Sequence, residues 1–310
     1  VVTFDFENVP ESSARLIESL CPVFPPPRAL YKSQDRLREK SMMLELGIHV
    51  APFSPVSSRP ELAAAVEQIG LPCVLKTRRF GYDGKGQMVV RFQEDLERAW
   101  QDLGDSELIC EGFVPFDLEC SIIAARGRDG QTVFWPLTRN LHRDGILAVS
   151  MAPAFDGQLQ MRAQNLMQRL LDHLDYTGVM ALELFLKDSE LLANEFAPRV
   201  HNSGHWSIDG AQTSQFENHL RAICGLDLGD PGKPLHSLMF NLLGEMPACF
   251  NQASSSAGVH WHDYHKTARA GRKIGHVTVT AETESELGGR TAQLARKLGV
   301  AAELNLEAVL

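Results

Sequence analysis

Two glutamates on neighbouring strand-like segments carry the strongest chemical signal in this 310-residue chain. The runs VMALELFL and ELLANEF flank a short polar turn, so they are predicted to form a β-hairpin. A three-residue loop, 188–190, would pair Lys187 with Leu191 and set Glu183 directly opposite Glu195 on one face. Carboxylates placed in this way repel each other, and a divalent cation that prefers oxygen ligands, such as magnesium, would offset the repulsion.

The length of the turn decides this interpretation. A two-residue turn would instead place Glu183 opposite Asn194 and send Glu195 to the other face of the hairpin. Spacing alone leaves open that both glutamates are ordinary solvated strand residues. The neighbouring Asn194 and the polar run APRVHNSGH at 197–205 favour the metal site.

A second signal is a basic loop rich in glycine, TRRFGYDGKGQMVV at 77–90, which follows the strand-like PCVLK. It is not a P-loop, because GxxxxGK[ST] is absent and no helical pattern follows the glycines. Such a loop is either a solvated hairpin tip or a lid that closes over a nucleotide and opens for product release. Lys76 favours the second interpretation, because an ammonium at the end of an apolar strand requires an anionic partner.

Composition restricts the possible partners. With a net charge of -9 and a pI near 5.7, the chain lacks the basic field that nucleic acids or anionic membranes require, and a small anion is the better prediction. The six cysteines include no CxxC pair, so they are interpreted as reduced, buried thiols of a cytoplasmic protein. No apolar run approaches the roughly 18 residues of a membrane span, and no signal peptide is recognisable at the start.

Alternating strand and helix patterns predict an α/β (α+β) fold. A domain boundary is predicted near 245, and the polar run SSSAG precedes a small β unit and a final helix at about 285–298. Predicted strands are VVTFDF, PCVLKTR, QMVVR, ELICE and FDLECSIIAA. Predicted helices are SQDRLREKSMMLELG, ending at Gly47, SRPELAAAVEQIG, with Ser58 as N-cap and Gly70 at its end, QEDLERAWQDLG, and Met161–Leu174.

GYDGKGQ, NLHRDGIL, the glutamate hairpin and APRVHNSGHW together resemble the carboxyaminoimidazole ribonucleotide synthase family of ATP-grasp enzymes. The resemblance runs along essentially the whole chain. It implies an ATP-grasp fold with a partial N-terminal Rossmann-like domain and a small C-terminal β-rich domain. The implied divisions are a pre-ATP-grasp remnant at 1–31, an ATP-grasp domain at 32–245 with its lid at about 48–110, and a C-terminal domain at 246–310.

The resemblance also implies the reaction, which is ATP-dependent carboxylation of aminoimidazole ribonucleotide by bicarbonate through carboxyphosphate. ATP and magnesium are the implied cofactors, and a homodimer is the implied assembly. The family normally begins with a strand and a GxGQLG turn ahead of VVTFDFENVP, so we expect part of the substrate-binding domain to be absent from this chain. Asp5 stands where glutamate is commoner, and Phe80 stands where glycine is common and would stiffen the lid.

Roles are implied position by position. The ATP contacts are Arg36, Lys76, Glu111 at the hinge near adenine, Glu119 at the ribose, His142 and Asn194. Glu183 and Glu195 are the magnesium ligands. The ribotide contacts are Tyr82, Asp83, Asn202, Ser203 and Arg272. The residues at the carboxylating centre are Arg199, His201 and Lys266.

Other histidines have simpler explanations. His260 and His262 in HWHDYH fit one face of a strand, and no set of cysteines or carboxylates with zinc spacing accompanies them. His173 beside a helical apolar stripe is interpreted as a packing residue.

Two other functions remain open: another ATP-grasp ligase, activating formate or an amino acid, and a nucleotide-binding fragment that binds ATP without turnover. The sequence shows no Ser/His/Asp or Cys/His nucleophile set, which suits an acyl-phosphate intermediate.

Overall fold

The computed structural model describes residues 1–81, 84–250 and 257–299. Within these ranges the helices are α1 (Glu11–Glu18), α2 (Pro27–Ser33), α3 (Arg36–Glu45), α4 (Arg59–Ile69), α5 (Asp95–Leu103), α6 (Gly157–His173), α7 (Ser207–Gly210), α8 (Gln215–Cys224) and α9 (Glu284–Leu298). The strands are β1 (Phe53–Val56), β2 (Cys73–Thr77), β3 (Gln87–Val90), β4 (Leu108–Gly112), β5 (Leu118–Arg126), β6 (Thr132–Phe134), β7 (Thr138–Arg143), β8 (Ile146–Ala152), β9 (Gly178–Lys187), β10 (Glu190–Ala197), β11 (His236–Leu243), β12 (Val259–Asp263) and β13 (Lys273–Ala281).

A large sheet organises most of the molecule. Among the described residues its strands follow the order β10-β9-β5-β7-β8-β11-β13-β12, with β6 paired to β5, and every pair is antiparallel. The fold is therefore of the α+β type. Strand β11 pairs with β8 on one side and β13 on the other, so strands from both sides of residue 245 belong to one sheet.

Strand β5 is buried on both faces of this sheet. Cys120 and Ile122 pack into the core that contains the apolar stripe of α6, whereas Ile123 and Ala125 pack with Trp206 on the opposite side. The strand predicted for FDLECSIIAA is thus confirmed, and apolar side chains pack on both of its faces. Of its polar residues, Glu119 borders the cavity described below, whereas Ser121 is fully buried and donates to Ser203 Oγ at 2.7 Å.

A smaller sheet, β1-β4-β2-β3, has its own core against α4 and α5. Helix α4 has the predicted signals: the Ser58 side chain accepts a hydrogen bond from the Glu61 amide, Pro60 lies in the first turn, and Gly70 follows with φ +87°. Asp35 caps α3 in the same way, accepting from the amides of Leu37 and Arg38. Local capping chemistry therefore determines where both helices begin.

Two predictions at the level of the fold are wrong. VVTFDF does not form a strand: only Val2 makes an isolated parallel bridge, to Val23, because no other segment of the described chain pairs with it. All six cysteines are free, but only Cys73, Cys110 and Cys120 are buried as predicted; Cys21 and Cys249 are half-buried, and Cys224 at the end of α8 is exposed. Among the described residues, none of the helices combines the length and apolarity needed to span a bilayer.

Candidate active site

A cavity of about 410 Å³ lies between the two sheets. The small sheet contributes Lys76, Gln87 and Glu111, and the large sheet contributes Glu119 and His142 among others. The predicted residues that line it are Arg36, Lys76, Glu111, Glu119, His142, Glu183, Asn194, Glu195, Arg199, His201 and Asn202. Segments that are distant in the sequence thus meet at one site.

The hairpin that carries the two glutamates has a different turn from the one predicted. Its loop contains two residues, Asp188 and Ser189, both with positive φ, +49° and +65°. Lys187 accordingly pairs with Glu190 and not with Leu191. Two consecutive left-handed residues form the tight turn that matches the twist of an antiparallel hairpin.

The predicted pairing of the glutamates is nevertheless correct. A regular ladder from this turn would place Glu183 opposite Asn194, but the register shifts between Ala193 and Glu195. The extra residue of this β-bulge is Asn194, and it brings Glu195 directly opposite Glu183. Without the bulge, Glu195 would face Leu182 and point to the other side of the sheet.

Each glutamate has a separate partner. Arg36 Nη1 donates to Glu195 Oε2 at 2.6 Å, and His201 Nε2 lies 3.0 Å from Glu183 Oε1. Burial alone would raise the pKa of Glu195, but the Arg36 guanidinium and nearby lysines lower it to about 2. The Glu195 side chain is 38% exposed although it lies deep in the protein, because it faces the cavity. It is therefore a carboxylate that can bind a cation.

The donor set fits magnesium. Magnesium prefers hard oxygen ligands and is usually held by one or two carboxylates together with substrate phosphates. Glu183 and Glu195 supply the carboxylates on one face. The buried Oδ1 atom of Asn194 accepts no hydrogen bond from the described residues, so the residue next to Glu195 carries a further oxygen without a partner.

Two buried lysines share one carboxylate at the small-sheet side. Lys76 Nζ donates to Glu111 Oε2 at 2.8 Å, and Lys40 Nζ lies 3.3 Å from the same oxygen. Burial lowers the pKa of Lys76 despite Glu111, while the two lysines outweigh burial and lower the pKa of Glu111. The anionic partner predicted for Lys76 is present within the protein. Sequence reasoning missed Lys40, which lies inside an ordinary helical pattern.

Glu119 and His142 form a second polar pair at the cavity wall, with Oε2 and Nδ1 2.8 Å apart. Burial alone would lower the pKa of His142, but the hydrogen bond with Glu119 and the surrounding carboxylates raise it. Between this pair and the small sheet stands an apolar wall that sequence reasoning did not identify. It includes the parallel rings of Phe116 and Phe185, whose centroids are 4.7 Å apart, together with Phe113.

Arg78 of the glycine loop does not project into the cavity as a free cation. Its Nη2 and Nε atoms donate to the two carboxylate oxygens of Asp35, at 2.6 and 3.1 Å. The Arg36 amide also donates to the Arg78 carbonyl at 3.0 Å. The beginning of the loop is thereby attached to the N-terminus of α3. Tyr82 and Asp83 lie outside the described residues.

Two predicted cations do not reach this cavity. Lys266 and Arg272 are exposed; Arg272 donates to the Thr267 carbonyl, and Lys266 Nζ lies 5.2 Å from the Tyr264 ring centre. Lys273, the residue after Arg272, contacts Asn202 instead. Side chains alternate along a strand, and β13 begins at Lys273, so its first side chain points toward the cleft.

A second cavity of about 650 Å³ adjoins the first, since Arg199 and Asn202 line both. Lys273 and Tyr264 also line this second cavity. Ser203 is fully buried; its Oγ accepts from Ser121 Oγ at 2.7 Å and lies 2.9 Å from His201 Nδ1. Ser203 therefore orients His201 and does not itself border either cavity.

The histidines of HWHDYH lie on one strand face, as predicted, but a carboxylate does accompany them. His262 Nε2 lies 2.8 Å from Asp209 Oδ2, and ligand atoms of these two residues and His276 lie within 4.8 Å of one another. The rings of His262 and His276 are stacked at 10°. Imidazole binds a metal in the plane of its ring, so near-parallel rings are poorly placed to share one ion. The contact with Asp209 is accordingly a hydrogen bond that satisfies His262.

Comparison with known proteins identifies the family. Two family models match the chain: the ATP-grasp domain at residues 41–216 and the phosphoribosylaminoimidazole carboxylase C-terminal domain at residues 237–290. The N5-carboxyaminoimidazole ribonucleotide synthase of Pseudomonas aeruginosa is 47% identical over 294 residues, which cover 95% of this chain and 81% of that protein. The Bacillus subtilis protein of the same name is 37% identical, with 92% and 76% covered.

Solved structures agree. That of N5-carboxyaminoimidazole ribonucleotide synthetase from Thermus thermophilus superimposes with a TM-score of 0.91 at 48% identity, covering 96% of this chain and 81% of that one. The Aspergillus clavatus enzyme, solved with ADP and 5-aminoimidazole ribonucleotide, superimposes with a TM-score of 0.89 at 30% identity, with 96% and 81% covered. On this evidence the chain belongs to the N5-carboxyaminoimidazole ribonucleotide synthase family of ATP-grasp ligases.

Proposed function

We propose that the cleft between the two sheets carboxylates 5-aminoimidazole ribonucleotide, using ATP and bicarbonate, as a step of purine biosynthesis. The observation that carries this proposal is the convergence of opposed carboxylates, buried cations and an apolar wall in one cavity. These three elements match the three parts of the reaction: a metal-bound triphosphate, an acid to be phosphorylated, and a flat base to be held.

ATP is proposed to lie along the first cavity. The apolar wall and the backbone of 111–114 would receive adenine, and Glu119 with His142 would hold the ribose hydroxyls. Arg36 and Lys76 are proposed to neutralise phosphate oxygens, where buried cations act more strongly than in water. Tyr82 and Asp83 of the glycine loop are proposed to close over the ribotide.

Magnesium would be held by Glu183 and Glu195, with Asn194 beside them. When bound, it would neutralise phosphate charge and align the terminal phosphoryl group. The chain's own contribution is to keep both carboxylates ionised and on the same face, through Arg36 and His201.

The proposed chemistry has two steps. A bicarbonate oxygen attacks the terminal phosphorus of ATP, the bond to the bridging oxygen breaks, and ADP leaves with the electron pair, which gives carboxyphosphate. The ribotide amine then attacks the carboxyl carbon, phosphate leaves, and the amine loses one proton. Arg199 and His201 are proposed to orient the two substrates, because both line the cavity beyond the glutamates. Carboxyphosphate hydrolyses in water, so a closing lid protects it.

The second cavity is proposed to receive the ribotide phosphate. Arg199 and Lys273 border it, and Lys266 lies beside its Tyr264. Arg272 remains a candidate for the same phosphate. We also propose that the domains divide at 1–31, 32–245 and 246–310, that the segment of about 48–110 acts as the lid, and that the protein is a cytoplasmic homodimer.

The test is ADP release measured with the ribotide, in the presence and absence of bicarbonate. ADP formation that requires both substrates supports the proposal. ADP formation independent of bicarbonate would indicate a ligase that activates another acid. ATP binding without ADP formation would indicate a nucleotide-binding protein only.

A further inference from the structure

Helix α3 contacts strand β10 at the β-bulge that sets the register of the two glutamates. Two consecutive residues make the contact. Lys40 Nζ donates to the Asn194 carbonyl at 3.1 Å, and the Phe196 amide donates to Glu39 Oε1 at 2.7 Å. Lys40 and Glu39 are 1% and 2% exposed, and neither residue lines the 410 Å³ cavity, although Glu39 borders a small adjoining cavity of about 60 Å³ with Glu183 and Glu195.

A bulge leaves backbone groups without partners in the ladder, and a buried group without a partner is costly. Within the described ranges, strand β10 is at the edge of the large sheet, so no further strand pairs with it on its outer side. The contacts on that side come from α3 and the segment after it: Glu39 and Lys40 act at residues 196 and 194, and the Ala193 amide donates to the His49 carbonyl at 2.8 Å.

We propose that Glu39 and Lys40 are positioning residues for the metal and nucleotide site, because they stabilise the bulge at Asn194 that places Glu195 on the face of Glu183. The inference rests on the proposed magnesium role of the two glutamates. It extends that role to residues that touch neither metal nor substrate. The turn at 188–189 does not by itself produce this register, since the regular ladder from it puts Glu195 on the opposite face.

Lys40 connects the bulge to the nucleotide side as well. Its ammonium lies 3.3 Å from Glu111 Oε2, the oxygen that also accepts from Lys76. One side chain thus holds the Asn194 carbonyl on the large sheet and the Glu111 carboxylate on the small sheet. Lys40 is therefore expected to influence both metal binding and the placement of the proposed phosphate-binding Lys76.

The main test compares Glu39→Ala and Glu39→Gln. Glutamine keeps an oxygen that can accept from the Phe196 amide, whereas alanine removes it. Mn²⁺ is titrated in the presence of a non-hydrolysable ATP analogue, and hydrogen exchange of the Phe196 amide is measured in the free protein. Glu39→Ala is expected to weaken Mn²⁺ binding roughly 10- to 100-fold, the range for residues that orient metal ligands, and to speed this exchange. Glu39→Gln is expected to restore both.

Met43→Ala is the matched control, because Met43 is fully buried on the same helix but packs in the apolar core, where its side chain donates no hydrogen bond to the bulge. It should lower stability and leave Mn²⁺ affinity unchanged. Lys40→Met provides a second variant if Glu39→Ala does not fold; it should weaken Mn²⁺ binding and raise the KM for ATP more than it lowers kcat.

Wild-type Mn²⁺ affinity in folded Glu39→Ala, or equal weakening in Met43→Ala, would overturn the inference. If the wild-type protein binds no Mn²⁺ with the nucleotide, the proposed magnesium role fails instead. In that case unchanged Phe196 exchange in Glu39→Ala would separately show that Glu39 does not stabilise the bulge.

Discussion

Glu111→Gln is the substitution for which the structure predicts the largest loss of stability at the site. The carboxylate is 4% exposed and lies within 3.3 Å of both Lys40 and Lys76, whose side chains are 1% and 12% exposed. Glutamine has nearly the same shape but no charge, so two buried ammonium groups would face each other without an anion between them. Removing one partner of a buried ion pair costs about 3–5 kcal/mol. We expect a loss near the lower limit, since the amide oxygen can still accept a hydrogen bond.

Urea denaturation of the wild type and Glu111→Gln at neutral pH measures this loss. Lys40→Met in the Glu111→Gln background should recover part of this loss, because the second change removes one ammonium that lacks an anionic partner; coupling of about 1 kcal/mol or more is expected between contacting groups.

The pH dependence of the Glu111 contribution to stability has a definite sign. The folded pKa of Glu111 lies below its ordinary value of 4.5, so its stabilisation is complete above pH 4.5 and is lost as the pH falls through the folded pKa. A Glu111→Gln protein within about 0.5 kcal/mol of the wild type would refute the buried triad.

Three further outcomes are expected. Glu195→Gln should abolish ADP formation while circular dichroism remains that of the wild type, and retained turnover would remove Glu195 from the metal site. The pKa of His142 is raised above its ordinary 6.5, so the wild type should be more stable than His142→Gln below pH 6.5 and should lose this advantage as the pH rises through the folded pKa. Denaturation of both proteins at several pH values measures the difference in free energy of unfolding, and a difference independent of pH would contradict the pairing with Glu119. Lys273→Met should raise the KM for the ribotide more than Arg272→Met does, and the reverse order in steady-state kinetics would return the phosphate contact to Arg272.

The sequence determined those features that depend on neighbours along the chain. Ser58, Pro60 and Gly70 specify helix α4 because capping groups act within one turn. The pattern of FDLECSIIAA predicted strand β5, and the residues of the hairpin predicted that Glu183 and Glu195 face each other. These signals are local, so they do not depend on contacts with distant parts of the chain.

Only the tertiary structure decided the features that depend on distant partners. The pairing of Glu183 with Glu195 was predicted from a three-residue turn, whereas the molecule achieves it with a two-residue turn and a bulge at Asn194. That bulge is contacted by Glu39 and Lys40, which lie about 150 residues earlier in the chain and carry no local signal of the contact. The VVTFDF segment failed to become a strand for the same reason, because a strand exists only where another segment pairs with it, and the sequence of one segment does not contain its partner.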